Sequence, residues 1–191
     1  DFTIIKFDFK DYFNSISSIY VFEKYLRSNL TDRHEIDLIK AFVYSTKRSY
    51  AGLCTSNAIA EIIATHFDKA IRKKFSSNGV IYYERYIDDC VLVLNEHMEE
   101  SETKDLLNAV LLEVFHDTSL KCLQCKTEFN WKKFGYISRR KVLSQKCSID
   151  FLGYEFWFSS KQIRKGAEIT IQYGITLAKQ NKYRNRLDSF I

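Results

Sequence analysis

Three aspartates stand where hydrophobic, strand-like segments end, and acids in such places can bind metal ions. Asp8 closes the segment 2–9, which is rich in β-branched and aromatic residues, and Asp88 and Asp89 lie between two further β-prone runs. Aligned strands would bring the three carboxylates together, and hard divalent cations prefer carboxylate oxygens. Two such cations about 4 Å apart activate a hydroxyl and stabilise a leaving oxygen in phosphoryl transfer. The alternative is that the acids cap turns, and spacing alone leaves both interpretations open.

A basic stretch later in the chain has the composition of a nucleic-acid contact. Residues 121–191 carry 15 basic and 5 acidic side chains, whereas residues 1–120 carry 14 and 19. Interleaved cations and rings suit phosphate contact with base stacking, and a mobile surface loop is the competing interpretation. The stretch contains Lys132, Lys133, Arg139, Arg140 and Lys141 together with Trp131, Phe134 and Tyr136.

The periodicity of hydrophobic residues predicts the elements that must position these side chains. The predicted helices cover residues 18–29, 32–45, 56–75 and 101–115, and a basic helix starts at 177. The predicted strands cover 2–9, 80–86, 90–94 and a segment near 120–128. Two hairpins are expected at 147–158 and 161–172, with Gly153 and the pair Lys165-Gly166 at their turns.

Composition excludes several classes of protein. The 191 residues are 46% hydrophobic and 28% charged, as in globular proteins, and contain no proline. The longest apolar run, Cys90 to Leu94, is far shorter than the roughly 18 to 20 residues of a membrane span. Five cysteines without a signal-like segment predict reduced thiols and a cytoplasmic location; the pair Cys122 and Cys125 fits buried thiols better than a zinc site. Because the chain starts at Asp1 without methionine, we expect a fragment of a longer chain.

Four blocks in a fixed order resemble the reverse transcriptases. Residues 86–89, Tyr-Ile-Asp-Asp, are similar to the YxDD box of that family, and residues 7–16 are similar to its first catalytic block. Residues 125–127 follow the helix at 101–115 as the family's palm lysine segment does, and residues 151–154 resemble its primer-grip hairpin. The resemblance therefore spans nearly the whole chain.

The resemblance implies a metal site built from the same three acids. Asp8, Asp88 and Asp89 become the catalytic carboxylates and metal ligands, with the carbonyl of Phe9 as a further ligand. Two Mg²⁺ ions are implied, with Mn²⁺ as an alternative ion.

The resemblance also implies contacts to substrates. Phe13 matches the aromatic ring that lies against the sugar of the incoming nucleotide and excludes a 2′-hydroxyl, and Tyr12, Ala51 and Gly52 match nucleotide-binding positions. Lys126 matches the lysine that protonates departing pyrophosphate. The primer grip falls on Phe151, Leu152 and Gly153.

One block departs from the family pattern. Most reverse transcriptases carry a Pro-Gln-Gly turn before the helix that supports template and nucleotide, whereas residues 50–52 here read Tyr-Ala-Gly. Gly52 and Ser56 match, but Ala51 replaces the glutamine. The Gly-x-x-x-Ser pattern followed by Ala-Glu-Ile looks most like bacterial abortive-infection (Abi) and other phage-defence members, some of which make DNA without a template. Untemplated or protein-primed DNA synthesis in antiviral defence is therefore expected.

The implied fold is α+β: the palm of a right-hand polymerase, an antiparallel sheet backed by helices. Residues 1–158 would form the palm with partial fingers, and residues 159–191 a palm hairpin and the start of a thumb. The implied partners are dNTPs and DNA or RNA, with no membrane, and the chain could form a homo-oligomer. The rival interpretations are an inactive palm that binds nucleic acid as a scaffold, an RNA polymerase, which Phe13 disfavours, and a templated reverse transcriptase of retron or group II intron type.

Overall fold

Helices and strands come largely in runs along the chain, with a run of helices between residues 12 and 74 and a run of strands between 147 and 175, as expected of an α+β protein. The computed structural model describes residues 1–120, 124–163 and 166–189. The strands are β1 (Thr3–Lys10), β2 (Val80–Tyr86), β3 (Asp89–Leu94), β4 (Glu128–Phe129), β5 (Gly135–Ser138), β6 (Cys147–Phe151), β7 (Tyr154–Ile163) and β8 (Gly166–Ile175). The α-helices are α1 (Tyr12–Ser15), α2 (Ser18–Val21), α3 (Arg33–Thr46), α4 (Cys54–Lys74), α5 (Glu100–Phe115), α6 (Arg139–Ser144) and α7 (Leu177–Asp188). Within the described ranges no helix is both long and apolar enough to cross a membrane.

The chain divides into two compact units. The first unit comprises Asp1–Phe7, Asn78–Met98 and Lys132–Ile191, and the second comprises Asp8–Ser77 and Glu99–Trp131. Strand β1 starts in the first unit and ends in the second. The predicted boundary after residue 158 falls inside β7, and the division into palm and thumb stays a prediction.

The first unit contains antiparallel strands over a small core. β2, β3 and the start of β1 lie side by side, and β5 pairs with β1 from Thr3↔Ser138 to Lys6↔Gly135. β6, β7 and β8 form a separate three-stranded sheet. Since side chains alternate between the two faces of a strand, this sheet places one face on the core. The core consists of Ile137, Val142, Ile149 and Phe158.

Two contacts join β6 to the strands beside it. A Cβ on Gly135 would lie 2.9 Å from Cδ1 of Ile149, so glycine at this position lets the side chain of Ile149 pack closely over β5. The ammonium of Lys6, whose side chain is 6% exposed, donates to Oδ2 of Asp150 at 3.0 Å. A buried ammonium needs such a partner because its desolvation is otherwise uncompensated. β6 is therefore joined to β5 by packing and to the start of β1 by an ion pair.

The second unit is built around α4 and a cluster of aromatic rings. The 21-residue helix α4 buries one stripe at helical spacing, which includes Ile59, Ile63 and Phe67. The ring of Phe9 lies 5.0 Å from that of Phe67, 5.5 Å from that of Phe115 and 5.3 Å from that of Phe129. These contacts join β1, α4, α5 and β4 in one core.

Most predicted helices are confirmed. The segments 32–45, 56–75 and 101–115 correspond to α3, α4 and α5. Asp32 caps α3, because its carboxylate accepts from the backbone N–H groups of His34 and Glu35. The predicted helix at 18–29 is irregular: α2 continues as a π-helical turn, Phe22–Leu26, and then as a 3₁₀ turn, Arg27–Asn29.

Two predictions about strands need correction. The strand expected near 120–128 is confined to Glu128–Phe129, since residues 124–127 join no ladder and residues 121–123 lie outside the described residues. The two hairpins expected at 147–158 and 161–172 share β7 and so form a single meander. Period-two patterns show where strands run, but they do not show that one strand serves two hairpins. Lys165, expected at the second turn, lies outside the described residues.

The turn between β6 and β7 carries an unfavourable residue. Phe151 pairs with Tyr154, and the two residues between them, Leu152 and Gly153, have φ values of 51° and 80°. This is the geometry of a type I′ turn, which favours Asn-Gly. Leucine in the left-handed region costs about 1 kcal/mol or more because its Cβ crowds the backbone.

We expect Leu152→Asn to stabilise the protein by about 1 kcal/mol, because asparagine tolerates the left-handed conformation and Leu152 is 40% exposed. Urea unfolding followed by circular dichroism measures the change. Leu143→Asn is the control, since Leu143 is 44% exposed but lies in helix α6, where asparagine has no such advantage. Equal or lower stability of Leu152→Asn would contradict the turn assignment.

Candidate active site

Asp8 is a carboxylate inside a strand that is buried on both faces. The strand β1 is buried from Ile5 to Phe9, and Asp8 is 1% exposed. The backbone N–H of Asn130 donates to the carbonyl of Asp8 at 2.8 Å, which fixes this part of β1 against β4. Burying a carboxylate is costly, so packing alone does not explain an aspartate at this position.

The carbonyl of Phe9 is directed away from β4. Backbone groups of successive strand residues point to opposite sides, and the Asp8 carbonyl is the one that faces β4. The side chain of Phe9 belongs to the aromatic core, as its ring stacks on Phe129 and on Tyr12 at 5.0 Å. The backbone of Phe9, and not its ring, is therefore the part that can serve a metal ion.

Asp88 and Asp89 lie at the tip of the β2–β3 hairpin, as predicted. Tyr86 pairs with Asp89 and the turn between them consists of Ile87 and Asp88. Both acids are half-buried. Ile87 has φ +60°, a conformation that is strained for a β-branched residue, and Arg85 donates to its carbonyl at 3.2 Å. Strain of this kind persists where the surrounding structure holds it, often at functional sites.

The meeting of the three acids stays a prediction. Asp8 belongs to the second unit, whereas Asp88 and Asp89 belong to the first. A search of the described residues finds no group of three or more His, Cys, Asp or Glu placed to hold a metal ion.

A cleft of about 200 Å³ lies in the second unit, next to the end of β1. The three cations that line it come from separate segments: Lys10 from β1, Arg48 from the loop after α3, and Lys126 from the segment before β4. Cations gathered in a concave site favour a polyanion. The remaining lining residues are Asp11, Asn14, Ser15 and Glu128.

Hydrogen bonds to backbone carbonyls of α1 fix the walls of this cleft. The N–H of Lys126 donates to the carbonyl of Ser15 at 2.7 Å, and Arg48 Nη1 donates to the carbonyl of Asn14 at 3.2 Å. Lys10 forms a long, exposed ion pair with Glu128 at 3.8 Å, which is worth little in water. Lys126 is exposed, and its backbone is anchored to α1.

Tyr12 and Phe13 occupy different environments. Tyr12 is buried, stacks on Phe9, and donates its hydroxyl proton to the carbonyl of Ala60 in α4 at 3.1 Å. Its side chain thus positions β1 against α4, and a nucleotide contact by Tyr12 would have to use its backbone. Phe13 is half-buried, with its ring 5.6 Å from that of Tyr12.

Ala51 and Gly52 form a turn at the start of α4. The N–H of Leu53 donates to the carbonyl of Tyr50 at 3.3 Å, and Gly52 has φ +94°, a conformation that glycine adopts without strain. Ser56 holds this turn, because its buried hydroxyl accepts from the N–H of Tyr50 at 2.9 Å. Ala51 is exposed. Gly52 and Ser56 therefore have structural roles in the turn, whereas the side chain of Ala51 is exposed to solvent.

The first residues of α7 hold the predicted primer-grip turn. The N–H of Thr176 donates to the carbonyl of Gly153 at 3.1 Å, and Lys179 Nζ donates to the carbonyl of Leu152 at 3.4 Å. The same ammonium lies 4.6 Å from the ring of Tyr154. Sequence reasoning missed Lys179, and only the basic character of the helix that starts at 177 pointed to it.

The predicted basic stretch is only in part available for nucleic acid. Lys132, Lys133, Arg139 and Arg140 are exposed. Tyr136, however, donates its hydroxyl proton to the carbonyl of Met98 at 2.6 Å, and Lys141 Nζ donates to the carbonyl of Tyr136 at 3.2 Å. The hydroxyl and the backbone of Tyr136 are thus engaged within the protein, while its half-buried ring stays a predicted stacking residue.

Sequence reasoning also missed a polar cluster in the second unit. Lys24 Nζ donates to the hydroxyl of Tyr20 at 3.0 Å and pairs with Asp117 at 3.2 Å, while Tyr20 and Tyr25 both donate to the carbonyl of Val114. Burial raises the pKa of Tyr25 to about 12, against an opposing effect of Lys24. Hydrogen bonds from Ser119 and then from Lys24 lower the pKa of Asp117 to about 2.

Comparison with known proteins identifies the family. The model of the family described as reverse transcriptase (RNA-dependent DNA polymerase) matches residues 2–156, which is more than half of the chain. The chain therefore belongs to the reverse transcriptases, and it is a nucleotidyltransferase with a palm-like fold whose substrates are nucleotides and nucleic acid. A search of curated proteins finds no match.

The raised pKa of Tyr25 predicts a loss of stability in alkali. The folded state retains the phenol proton of Tyr25 more tightly than the unfolded chain does. The contribution of the neutral phenol to the free energy of unfolding is therefore fully present below about pH 10 and is lost as pH rises through about 12. Tyr25→Phe should make the free energy of unfolding fall less steeply above pH 10, as measured by urea unfolding. Tyr183→Phe, at an exposed tyrosine of α7, is the control. The same slope in wild type and Tyr25→Phe would contradict the assignment.

Proposed function

We propose that this protein makes DNA by two-metal nucleotidyl transfer, and the cation-lined cleft beside the end of β1 is the observation that carries the proposal. Buried Asp8 and the cleft of Lys10, Arg48 and Lys126 belong to the same unit. A site for a nucleoside triphosphate needs both features: a carboxylate for cations at the reacting phosphate, and positive charge for the rest of the triphosphate. The family match supports the same chemistry.

The donor set fits Mg²⁺, the ion we assign to the site. Asp8, Asp88, Asp89 and the carbonyl of Phe9 offer hard oxygen ligands, which magnesium prefers over nitrogen or sulfur. When bound, the ions lower the cost of forming the attacking alkoxide and of releasing the leaving oxygen. Mn²⁺ would occupy the same ligands.

The side chains of the cleft act on the triphosphate. A 3′-hydroxyl, or the hydroxyl of a priming protein, attacks the α-phosphorus; the bond from that phosphorus to the pyrophosphate oxygen breaks, and the hydroxyl proton is released to solvent. Lys10 and Arg48 bind the β- and γ-phosphates, and Lys126 donates a proton to the departing pyrophosphate. The anchored backbone of Lys126 supports this role, since it fixes the point from which the side chain reaches the cleft.

Phe13 selects the sugar. Its half-buried ring packs against the buried ring of Tyr12, with 5.6 Å between the ring centroids, so the ring of Phe13 is supported on one side and open to solvent on the other. A rigid ring against C2′ of the nucleotide leaves no room for a 2′-hydroxyl. The enzyme therefore prefers deoxynucleotides.

Template dependence is weak in this proposal, because exposed Ala51 offers no polar group where most of the family has glutamine. The phosphoryl chemistry does not need a base pair, since the carboxylates act on phosphates. Such synthesis, in the cytoplasm of a bacterium, fits antiviral defence of the abortive-infection kind.

The proposal is tested by incubating the protein with labelled dNTPs and Mg²⁺, with and without a defined template. Asp8→Asn should abolish incorporation, by more than a hundredfold, and leave the circular dichroism spectrum unchanged, because it removes a charged metal ligand. Asp37→Asn, at an exposed residue of α3, should retain full activity.

The outcomes of this assay separate the alternatives. Incorporation by Asp8→Asn at the wild-type rate would overturn the mechanism, and no incorporation by wild type would indicate an inactive scaffold. Sequencing the product tests template use: a biased sequence unrelated to the template supports the proposal, and faithful complements would show a templated enzyme of retron or group II intron type.

The sugar gate makes a separate prediction. Phe13→Ala should raise the ratio of kcat/KM for rNTP over that for dNTP by tenfold or more, because it opens space for the 2′-hydroxyl. Tyr12→Phe is the matched control: it alters the neighbouring ring by removing only the hydroxyl that contacts Ala60, and it should leave the ratio unchanged. An unchanged ratio in Phe13→Ala would show that Phe13 serves packing alone.

A further inference from the structure

Trp157 lies on the face of the β6–β7–β8 sheet that points away from the core. It pairs with Ser148 on one side and Gln172 on the other, whereas the next residue, Phe158, is buried in the core of the unit. Because successive side chains alternate, Trp157 points to the opposite face. Its side chain is 41% exposed, which is unusual exposure for the largest apolar side chain.

The ring of Trp157 is supported by a glycine. Cη2 and Cζ3 of the indole each lie 3.2 Å from the place where a Cβ of Gly174 would stand. Glycine weakens a strand interior, so its presence in β8 is explained by the ring that lies over it. The indole is thus fixed against the sheet while much of its surface stays in solvent.

A cavity of about 350 Å³ opens beside this ring. Lys146, Ser148, Ser159 and Gln172 bring to it an ammonium, two hydroxyls and an amide. Cys147 and Phe158 complete the lining, and among the residues that the structure describes no carboxylate lines the cavity. An aromatic surface can stack on the face of a base, an amide can hydrogen-bond to the edge of the base, and a cation can bind the phosphate.

We propose that this cavity binds a base of single-stranded nucleic acid, stacked on Trp157 and hydrogen-bonded by Gln172, with Lys146 on the adjacent phosphate. The surplus of positive charge in residues 121–191, 15 basic against 5 acidic side chains, favours a polyanion on this part of the chain. The inference rests on the proposed function, because it adds a contact for the strand that the enzyme extends or copies. It involves none of the residues assigned to the catalytic step.

Binding of a labelled single-stranded oligo(dT) or oligo(rU), measured by fluorescence anisotropy without dNTP or metal, tests this site. Trp157→Ala should raise Kd about tenfold, since one stacked base is lost, and Trp157→Phe should retain most of the affinity. Tyr173→Ala is the matched control: Tyr173 is an aromatic residue of the same sheet, 74% exposed, but on the other face. Lys146→Ala should reduce the slope of log Kd against log salt by about one phosphate contact.

A second measurement keeps the test valid if Trp157→Ala does not fold. In a Trp131→Phe protein the remaining tryptophan is Trp157, and its fluorescence should be quenched by the oligonucleotide. Absence of quenching, wild-type Kd in a folded Trp157→Ala protein, or an equal loss in Tyr173→Ala would each overturn the inference.

Failure of the catalytic proposal gives a different result. Asp8→Asn should bind oligo(dT) with wild-type Kd while it fails to incorporate nucleotides. If wild type incorporates nucleotides and Trp157→Ala binds oligo(dT) with wild-type Kd, the catalytic proposal is supported and the proposed stacking site is wrong.

Discussion

The burial of a carboxylate in β1 is the constraint on which the rest of the structure depends. Asp8 is 1% exposed in a strand packed on both faces, and an ionised group there is tolerated only if its surroundings compensate its lost hydration. The aromatic cluster of Phe9, Phe67, Phe115 and Phe129 holds this strand rigidly, so the position of the carboxylate follows from the core. A rigid support of this kind is what a metal ligand requires.

The order of elements was largely predictable because long, periodic segments determine their own type. Helices α3, α4 and α5 and the β2–β3 hairpin follow from apolar spacing alone. The single meander of β6, β7 and β8 did not follow from apolar spacing, since the pairing partners of β7 are set by tertiary packing. The prediction of a strand near 120–128 was wrong in its length, because a strand of two residues leaves almost no pattern in the sequence. The π-helical turn after α2 likewise has no simple sequence signal.

The positions of the predicted site residues along the fold followed from the sequence, but the contacts that each side chain makes did not. A resemblance identifies Tyr12, Gly52 and Ser56 as members of a pattern, and contacts show that Tyr12 and Ser56 work through hydrogen bonds that fix the backbone. The sequence did not predict that Lys10, Arg48 and Lys126 line the same cleft, because residues far apart in sequence come together only after folding. The meeting of Asp8, Asp88 and Asp89 stays a prediction, since these acids are divided between the two units.

The attachment of α7 to the β6–β7 turn has a mechanical consequence. The start of this helix holds the turn through the carbonyls of Leu152 and Gly153, and the stem of Lys179 fills the space where any side chain at position 153 would stand, with Cδ 2.7 Å from the Cβ position. These contacts are made by Thr176 and Lys179, at the N-terminal end of α7. The same contacts that hold the tip of the β6–β7 hairpin therefore also fix the N-terminal end of α7.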